Sequence, residues 1–296
     1  VTPLAHTLQS DLRLARELAD MADAISMDRF RANDLAVSMK PDMTHVTDAD
    51  RAVEAAIRAA LHDSRPRDAV LGEEAGEDPG EKHEEAGEDP GEKHQEAGEP
   101  GTADAGRASS RQWIIDPIDG TANYVRGVPV WASLISLAVD GVPVIGVVSA
   151  PALGKRWWAA KGLGAFIDDS LGTGIGSSER RIAVSAVSTL ADASMSCSGL
   201  LRWEQAGKLD EFLGLARSVW RTRDYGDMWP YMMVAEGLVE IAGEFDMKPW
   251  DIAALIPIVE EAGGRFTSVS GEPGPWRGSA IATNGRLHDE VIRRLA

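Results

Sequence analysis

Residues 113–123, Trp-Ile-Ile-Asp-Pro-Ile-Asp-Gly-Thr-Ala-Asn, restrict this chain more than any other segment. An apolar run leads into Asp116 and Asp119, followed by Gly120 and Thr121. This is the pattern of a buried strand that delivers carboxylates to the start of a helix. Pro117 fixes the backbone between the two aspartates. Gly120 permits a sharp turn or a close approach to a ligand. Thr121 is expected to cap the next helix, whose free N–H groups suit an anion. Two hard oxygen ligands beside such a helix start predict a magnesium-phosphate site.

The flanking sequence sets out the elements around that stretch. Apolar spacing from Leu8 to Arg29 predicts a long amphipathic helix. Thr47 or Asp48 is expected to cap a second helix that runs to about His62. Ala69 to Leu71 reads as a short strand ending in Gly72-Glu73-Glu74. Two more strands, Val130–Val139 and Val142–Ser149, are joined by an Asp140-Gly141 hairpin turn. Lys155–Ala160 and Gly164–Ile167 extend the antiparallel set around a Lys161-Gly162 turn, and 168–180 read as a polar loop. Beyond it, strands are expected at Ile182–Ser185, Ala193–Cys197, Ser218–Arg221, Leu238–Glu244, Arg265–Val269 and Ser279–Thr283. Helices are expected at Glu204–Arg217, Asp227–Glu236, Pro249–Ala262 and Leu287–Leu295. Helices, a meander and then alternation predict an α/β chain with layered elements and a mixed sheet.

One segment has no place in a core. Glu73 to His83 is repeated without change as Glu84 to His94, and a partial third copy starts at Gln95. Each copy holds Pro and two Gly and no large apolar residue, so 75–110 is expected to be a disordered acidic insert. It carries 11 acidic and 3 basic residues, a net −8 of the chain's −17. The folded body is therefore only moderately acidic. That charge still argues against nucleic-acid binding, which neutralises phosphates with basic residues. It leaves room for a small phosphorylated substrate, because bound cations invert the local field. The 296 residues suffice for one large domain or two smaller ones sharing a core. No apolar run is long enough for a membrane span, and the first residues lack a signal-peptide pattern. Cys197, the only cysteine, reads as core, and its solitude fits a reducing cytoplasm.

Other candidates are weaker alone. Gly72-Glu73-Glu74 is an ordinary charged strand end, but it closes an apolar strand as Asp116 does. Parallel strands often deliver ligands to one site at their carboxyl ends. Asp251, in the first turn of the helix opened by Pro249-Trp250, is either a dipole-stabilising acid or a third metal carboxylate. Asp50 has the same ambiguity after Thr47. Asp227 opens an apolar helix and reads as a cap, while Glu244 ends a strand seven residues before Asp251. Together Asp227 and Glu244 would place negative charge on the side of a pocket away from phosphate. The six histidines show no metal-ligand spacing.

As a set, these residues resemble the inositol monophosphatase family. Gly72-Glu73-Glu74, Asp116-Pro-Ile-Asp119-Gly-Thr121 and Trp250-Asp251-Ile-Ala-Ala match its three signatures in order, and Val46-Thr-Asp-Ala-Asp50 matches a fourth. Within the family, Arg223-Asp-Tyr225-Gly226-Asp227 and Val128-Pro-Val-Trp-Ala-Ser133 most resemble the bacterial histidinol-phosphatases. The resemblance implies a single domain with the sugar-phosphatase fold, an α/β (αβαβα) sandwich of alternating layers. It implies phosphomonoester hydrolysis with two or three Mg²⁺ ions per site. It assigns metal ligation to Glu73, Asp116, the Ile118 carbonyl, Asp119 and Asp251. It assigns phosphate contacts to Gly120 and Thr121, and positioning of the attacking water to Asp50, Glu73 and Thr121. Lys40 matches a lysine near the metals, and Glu244 matches a substrate-contacting glutamate. Asp227 stands where inositol-type enzymes have a small residue, which favours a cationic substrate such as L-histidinol phosphate over inositol 1-phosphate or another sugar phosphate. A cytoplasmic homodimer is implied too. A non-catalytic acidic protein that binds Ca²⁺ or a basic partner through its repeats is the remaining alternative; the repeats do not match an EF-hand loop.

Overall fold

The computed structural model describes residues 3–41, 43–80, 110–172, 178–197 and 199–296. The first half runs α1 (Pro3–Arg29), β1 (Val37–Met39), β2 (His45–Thr47), α2 (Asp48–Ser64), β3 (Ala69–Gly72), β4 (Gly76–Asp78) and β5 (Arg111–Asp119). A short α3 (Thr121–Val125) leads into β6 (Ala132–Val139), β7 (Val142–Ala150), β8 (Lys155–Ala160), β9 (Gly164–Asp168) and β10 (Arg180–Arg181). The second half runs β11 (Ser194–Cys197), α4 (Leu200–Gln205), α5 (Leu209–Ala216), β12 (Arg221–Thr222), α6 (Trp229–Ala235) and β13 (Ile241–Phe245). It closes with α7 (Pro249–Ala253), α8 (Leu255–Glu261), β14 (Arg265–Thr267), β15 (Ser279–Thr283) and α9 (His288–Leu295).

Two large sheets alternate with three helical layers, as the sequence led us to expect, and β1 and β2 form a small antiparallel pair of their own. The larger sheet has the order β10-β9-β8-β7-β6-β5-β3-β4, and the smaller has β12-β11-β13-β15-β14. α1 and α2 cover the outer face of the larger sheet, where Leu18, Ile57, Trp113 and Trp158 are buried. α6, α7 and α8 fill the space between the sheets with Trp157, Tyr231, Leu255 and Phe266. α4, α5 and α9 close the far side over Trp203, Ile241 and Leu295. Trp157 and Trp158 thus serve opposite faces of one strand, as period-two geometry requires.

The strand pair that carries the site is locked at its foot. β3 and β5 are parallel, with Ala69 opposite Gln112 and Gly72 opposite Ile115. Asp68, just before β3, accepts from the Arg111 guanidinium at 2.9 Å and from the Trp113 indole N–H at 2.9 Å. These bonds fix the register, so Glu73, just past the end of β3, lies beside Asp116 while β5 runs on to Asp119.

Several expected boundaries shift. Residues 76–78, assigned to the disordered insert, form β4 and pair antiparallel with β3. Three residues of the first copy of the repeat, Gly76–Asp78, are therefore built into the sheet. The expected disorder of 81–109 falls outside the described residues. Residues 182–185 are not a strand; the pairing partner of β9 is Arg180–Arg181. The helix expected over 204–217 starts earlier and breaks in two, because Gly207 turns left-handed at φ 68° between α4 and α5. The strand expected at Ser218–Arg221 moves to Arg221–Thr222. The helix from Pro249 breaks at Ala254, since Pro257 has no N–H to donate to the Ala253 carbonyl.

Candidate active site

Lys40, Glu73, Asp116, Ile118, Asp119, Gly120, Thr121, Asp227, Glu244 and Asp251 all line one cleft of about 810 Å³. They come from distant parts of the chain. Glu73 follows β3, and its N–H donates to the Ile115 carbonyl at 3.2 Å, so it sits beside the end of β5. A register shift between Asp116 and Asp119 bends β5 at its end. Gly120 then turns left-handed at φ 84°. A Cβ at Gly120 would press on the Val130 carbonyl and the Asp227 carboxylate, so glycine is needed on both counts. Asp251 enters from α7, where its Oδ2 accepts from the Lys248 backbone N–H at 2.7 Å.

Thr121 departs from its expected role. Gly120 is the N-cap of α3, and Thr121 is the first helical residue. Its hydroxyl is 3.0 Å from the Ile118 carbonyl and 3.3 Å from Asp50 Oδ1. Asp50 lies behind the cleft wall rather than on it. It completes a reciprocal cap with Thr47, whose N–H and hydroxyl both donate to Asp50 Oδ2. Asp50 is therefore both a cap and the partner of Thr121.

Asp227 is not a helix cap either. It takes a left-handed φ of 49°, and Met228 caps α6 without a side-chain bond. Its carboxylate accepts from the Asn123 side-chain amide at 2.6 Å. The next N–H, of Met228, donates to Asp119 Oδ2 at 2.8 Å. The loop before α6 is thereby tied to the acidic cluster and brings Asp227 beside it. Asn123, Arg202, Asp246 and Lys248 are additions that sequence reasoning did not assign. Arg202 and Lys248 both pair with Asp246 at the rim of the cleft. Asn123 belongs to the leading motif, but its partner Asp227 is more than a hundred residues away, and nothing local signals the bond.

Electrostatics identify what the cleft can hold. Asp116, Asp119 and Asp251 each offer an oxygen within 4.8 Å of the others. Burial, then Glu73, Asp119 and Asp251, hold Asp116 well above the usual carboxylate range. Burial and Asp227 do the same to Asp119. Burial raises Asp251 to about 6 and Asp227 to about 6. Burial and Asp227 push Glu244 up to about 8. Like charges this close cannot all ionise without a cation. Asp116 Oδ1 is buried with no hydrogen-bond partner, an unmet acceptor aimed at such a cation. All-oxygen donors of this kind suit Mg²⁺, Mn²⁺ or Ca²⁺. Glu73 stands outside the close trio: its Oε1 accepts from the Lys40 ammonium at 2.8 Å. Burial works against the Lys40 charge, but Glu73 and Glu74 outweigh it and raise the lysine above its ordinary range.

The inositol monophosphatase family model matches residues 7–296. This chain belongs to the inositol monophosphatase family. A histidinol-phosphatase of Streptomyces coelicolor is 54% identical over 289 residues, covering 96% of each chain. One from Mycobacterium tuberculosis is 50% identical over 285 residues, covering 96% of this chain and 97% of the relative. The crystal structure of the extragenic suppressor protein suhB from Bartonella henselae superposes with a TM-score of 0.78 at 28% identity, over 97% of this chain and 98% of that one. The chain is thus a phosphatase with the inositol monophosphatase fold.

Proposed function

We propose that this phosphatase hydrolyses L-histidinol phosphate to L-histidinol and phosphate, as a step of histidine biosynthesis, with two or three Mg²⁺ ions bound. The observation that carries this reading is the Asp227 and Glu244 pair in the same cleft as the Asp116, Asp119 and Asp251 cluster. Histidinol phosphate carries an ammonium and an imidazole, which carboxylates complement, whereas a hydroxyl-rich sugar asks for neutral hydrogen-bond partners. The two histidinol-phosphatases at 50% and 54% identity support the same substrate. By the same resemblance the protein would act as a homodimer in the cytoplasm.

The division of labour follows from the contacts. Glu73, Asp116, Asp119, Asp251 and the Ile118 carbonyl would hold the metal. When bound, Mg²⁺ supplies charge neutralisation for the phosphoryl group and a more acidic water. Gly120 and Thr121 would contact the phosphate at the start of α3. The Thr121 hydroxyl has a single proton. If it donates to Asp50, its lone pairs are left to accept from an attacking water. Burial raises Asp50, which makes it a more willing proton acceptor than a solvated aspartate. In-line attack of that water forms one P–O bond while the ester P–O bond breaks.

The test is phosphate release from L-histidinol phosphate as Mg²⁺ is varied, in the wild type and in Asp116→Asn. Turnover that depends on Mg²⁺ and is lost in a folded Asp116→Asn is the expected result. Full turnover after metal removal, or near-normal turnover in Asp116→Asn, would overturn the reading.

A further inference from the structure

We propose that Glu54 and Arg58 of α2 clamp the turn that carries Glu73, which makes Glu54 a positioning residue for the metal centre. The proposal rests on the reading of Glu73 as a metal ligand. Glu54 is only 1% exposed and does not line the cleft. Its Oε2 accepts from the Glu74 N–H at 2.7 Å. Its Oε1 accepts from the Ala75 N–H at 3.0 Å and from Arg58 Nε at 2.7 Å. Arg58 Nη2 in turn donates to the Gly76 carbonyl at 2.5 Å. One pair of side chains a helical turn apart therefore holds three consecutive backbone positions directly after Glu73.

The other side of the turn is held as well, by the Glu73 N–H on the Ile115 carbonyl. Glu73 stands between two fixed points, one on β5 and one on α2. Gly72 makes the approach of α2 possible, because a Cβ there would overlap the Glu54 carboxylate and the Arg58 guanidinium. A helical ion pair contributes little in isolation, and burying one is often neutral or costly. What this pair supplies is placement. Metal ligands need their supporting contacts, and losing such a contact typically weakens metal binding about 10–100-fold.

Glu54→Gln is a sharp probe, because both carboxylate oxygens accept. Either amide orientation sets an NH₂ group against a donor, while size is conserved. The experiment titrates Mn²⁺ into metal-free protein by electron paramagnetic resonance. It also measures the Mg²⁺ concentration for half-maximal phosphatase activity and kcat at saturating Mg²⁺. We expect Glu54→Gln to weaken Mn²⁺ binding about 10-fold, to raise the Mg²⁺ requirement in parallel, and to recover kcat at saturation. A folded Glu54→Gln with wild-type Mn²⁺ affinity and only a lower melting temperature would overturn the clamp. If Glu54→Gln does not fold, Arg58→Met decides by the same readings. Glu73→Gln separates the two claims. Unchanged Mn²⁺ affinity there removes the metal-ligand reading itself. Loss there, with none in Glu54→Gln or Arg58→Met, removes the clamp alone.

Discussion

On the proposed reading, Asp227 and Glu244 have separate tasks from the Asp116, Asp119 and Asp251 cluster beside them, and substitution can separate the two. Asp227→Asn keeps the size and the bond distance to Asn123 but removes the charge, and Glu244→Gln does the same at the end of β13. Each is expected to lower kcat/KM for histidinol phosphate about 30-fold or more, the equivalent of the roughly 2 kcal/mol at the low end for losing one desolvated charge partner, chiefly through KM. Activity on a small uncharged aryl phosphate should change less. Steady-state kinetics on both substrates checks this, and equal losses on both would assign these residues to the chemistry instead. That Glu73, Asp116, Asp119 and Asp251 would share a cleft was legible in the sequence because each ends an apolar strand or opens a helix. Asp227 was legible as a residue but not in its conformation, since a left-handed aspartate is uncommon and leaves no sequence mark. The Asn123, Arg202, Asp246 and Lys248 contacts were not legible. Asn123 meets Asp227, and Arg202 of α4 meets Asp246, only once distant parts of the chain have packed.

Among the elements, periodicity located most strands and helices, and single residues decided where they stop. Gly207 and Pro257 each interrupt a run that hydrophobic spacing alone would have continued. The repeat misled in a different way. Its first copy has the composition of a linker, yet backbone pairing with β3 needs no apolar side chains, and 76–78 joined the sheet. Deleting 81–106 keeps β4 and the Glu54 contacts. Loop closure depends only weakly on length, so activity should stay within about twofold, as a phosphate-release assay would show; complete loss would make the insert part of the enzyme.

The packing of β14, β15 and α9 yields a pH prediction. His288 is fully buried between Thr267 Oγ1, 3.0 Å from Nε2, and Thr283 Oγ1, 3.1 Å from Nδ1. The Thr267 hydroxyl donates to the Ser268 carbonyl, so it accepts from Nε2–H and leaves Nδ1 to accept from Thr283. Protonation would remove that acceptor. Burial, helped by Arg265, lowers His288 to about 4. Between there and its ordinary value near 6.5 the unfolded chain binds more protons, so stability falls as pH falls. The contribution lost between pH 7.5 and pH 5 is about 2 kcal/mol. Urea unfolding of wild type and His288→Gln at the two pH values measures it, and an identical pH dependence in both would refute it.

At the scale of the whole molecule, the site is a product of layering. The larger sheet supplies Glu73, Asp116 and Asp119, the middle helices supply Asp251, and the smaller sheet supplies Glu244. No single layer holds both the metal-side and the substrate-side carboxylates. The sequence signatures revealed the reaction class because the ligands keep short local spacings. Substrate choice was less legible, because on the proposed reading it depends on how the smaller sheet and the loop before α6 close over the larger sheet. On the proposed reading this closure builds a site for a cationic phosphomonoester. Measuring kcat/KM for L-histidinol phosphate and for inositol 1-phosphate, side by side in saturating Mg²⁺, decides the matter. A ratio of about 100 or more in favour of histidinol phosphate is expected, the discrimination of a site built around charged partners. Equal values, or a preference for inositol 1-phosphate, would overturn it.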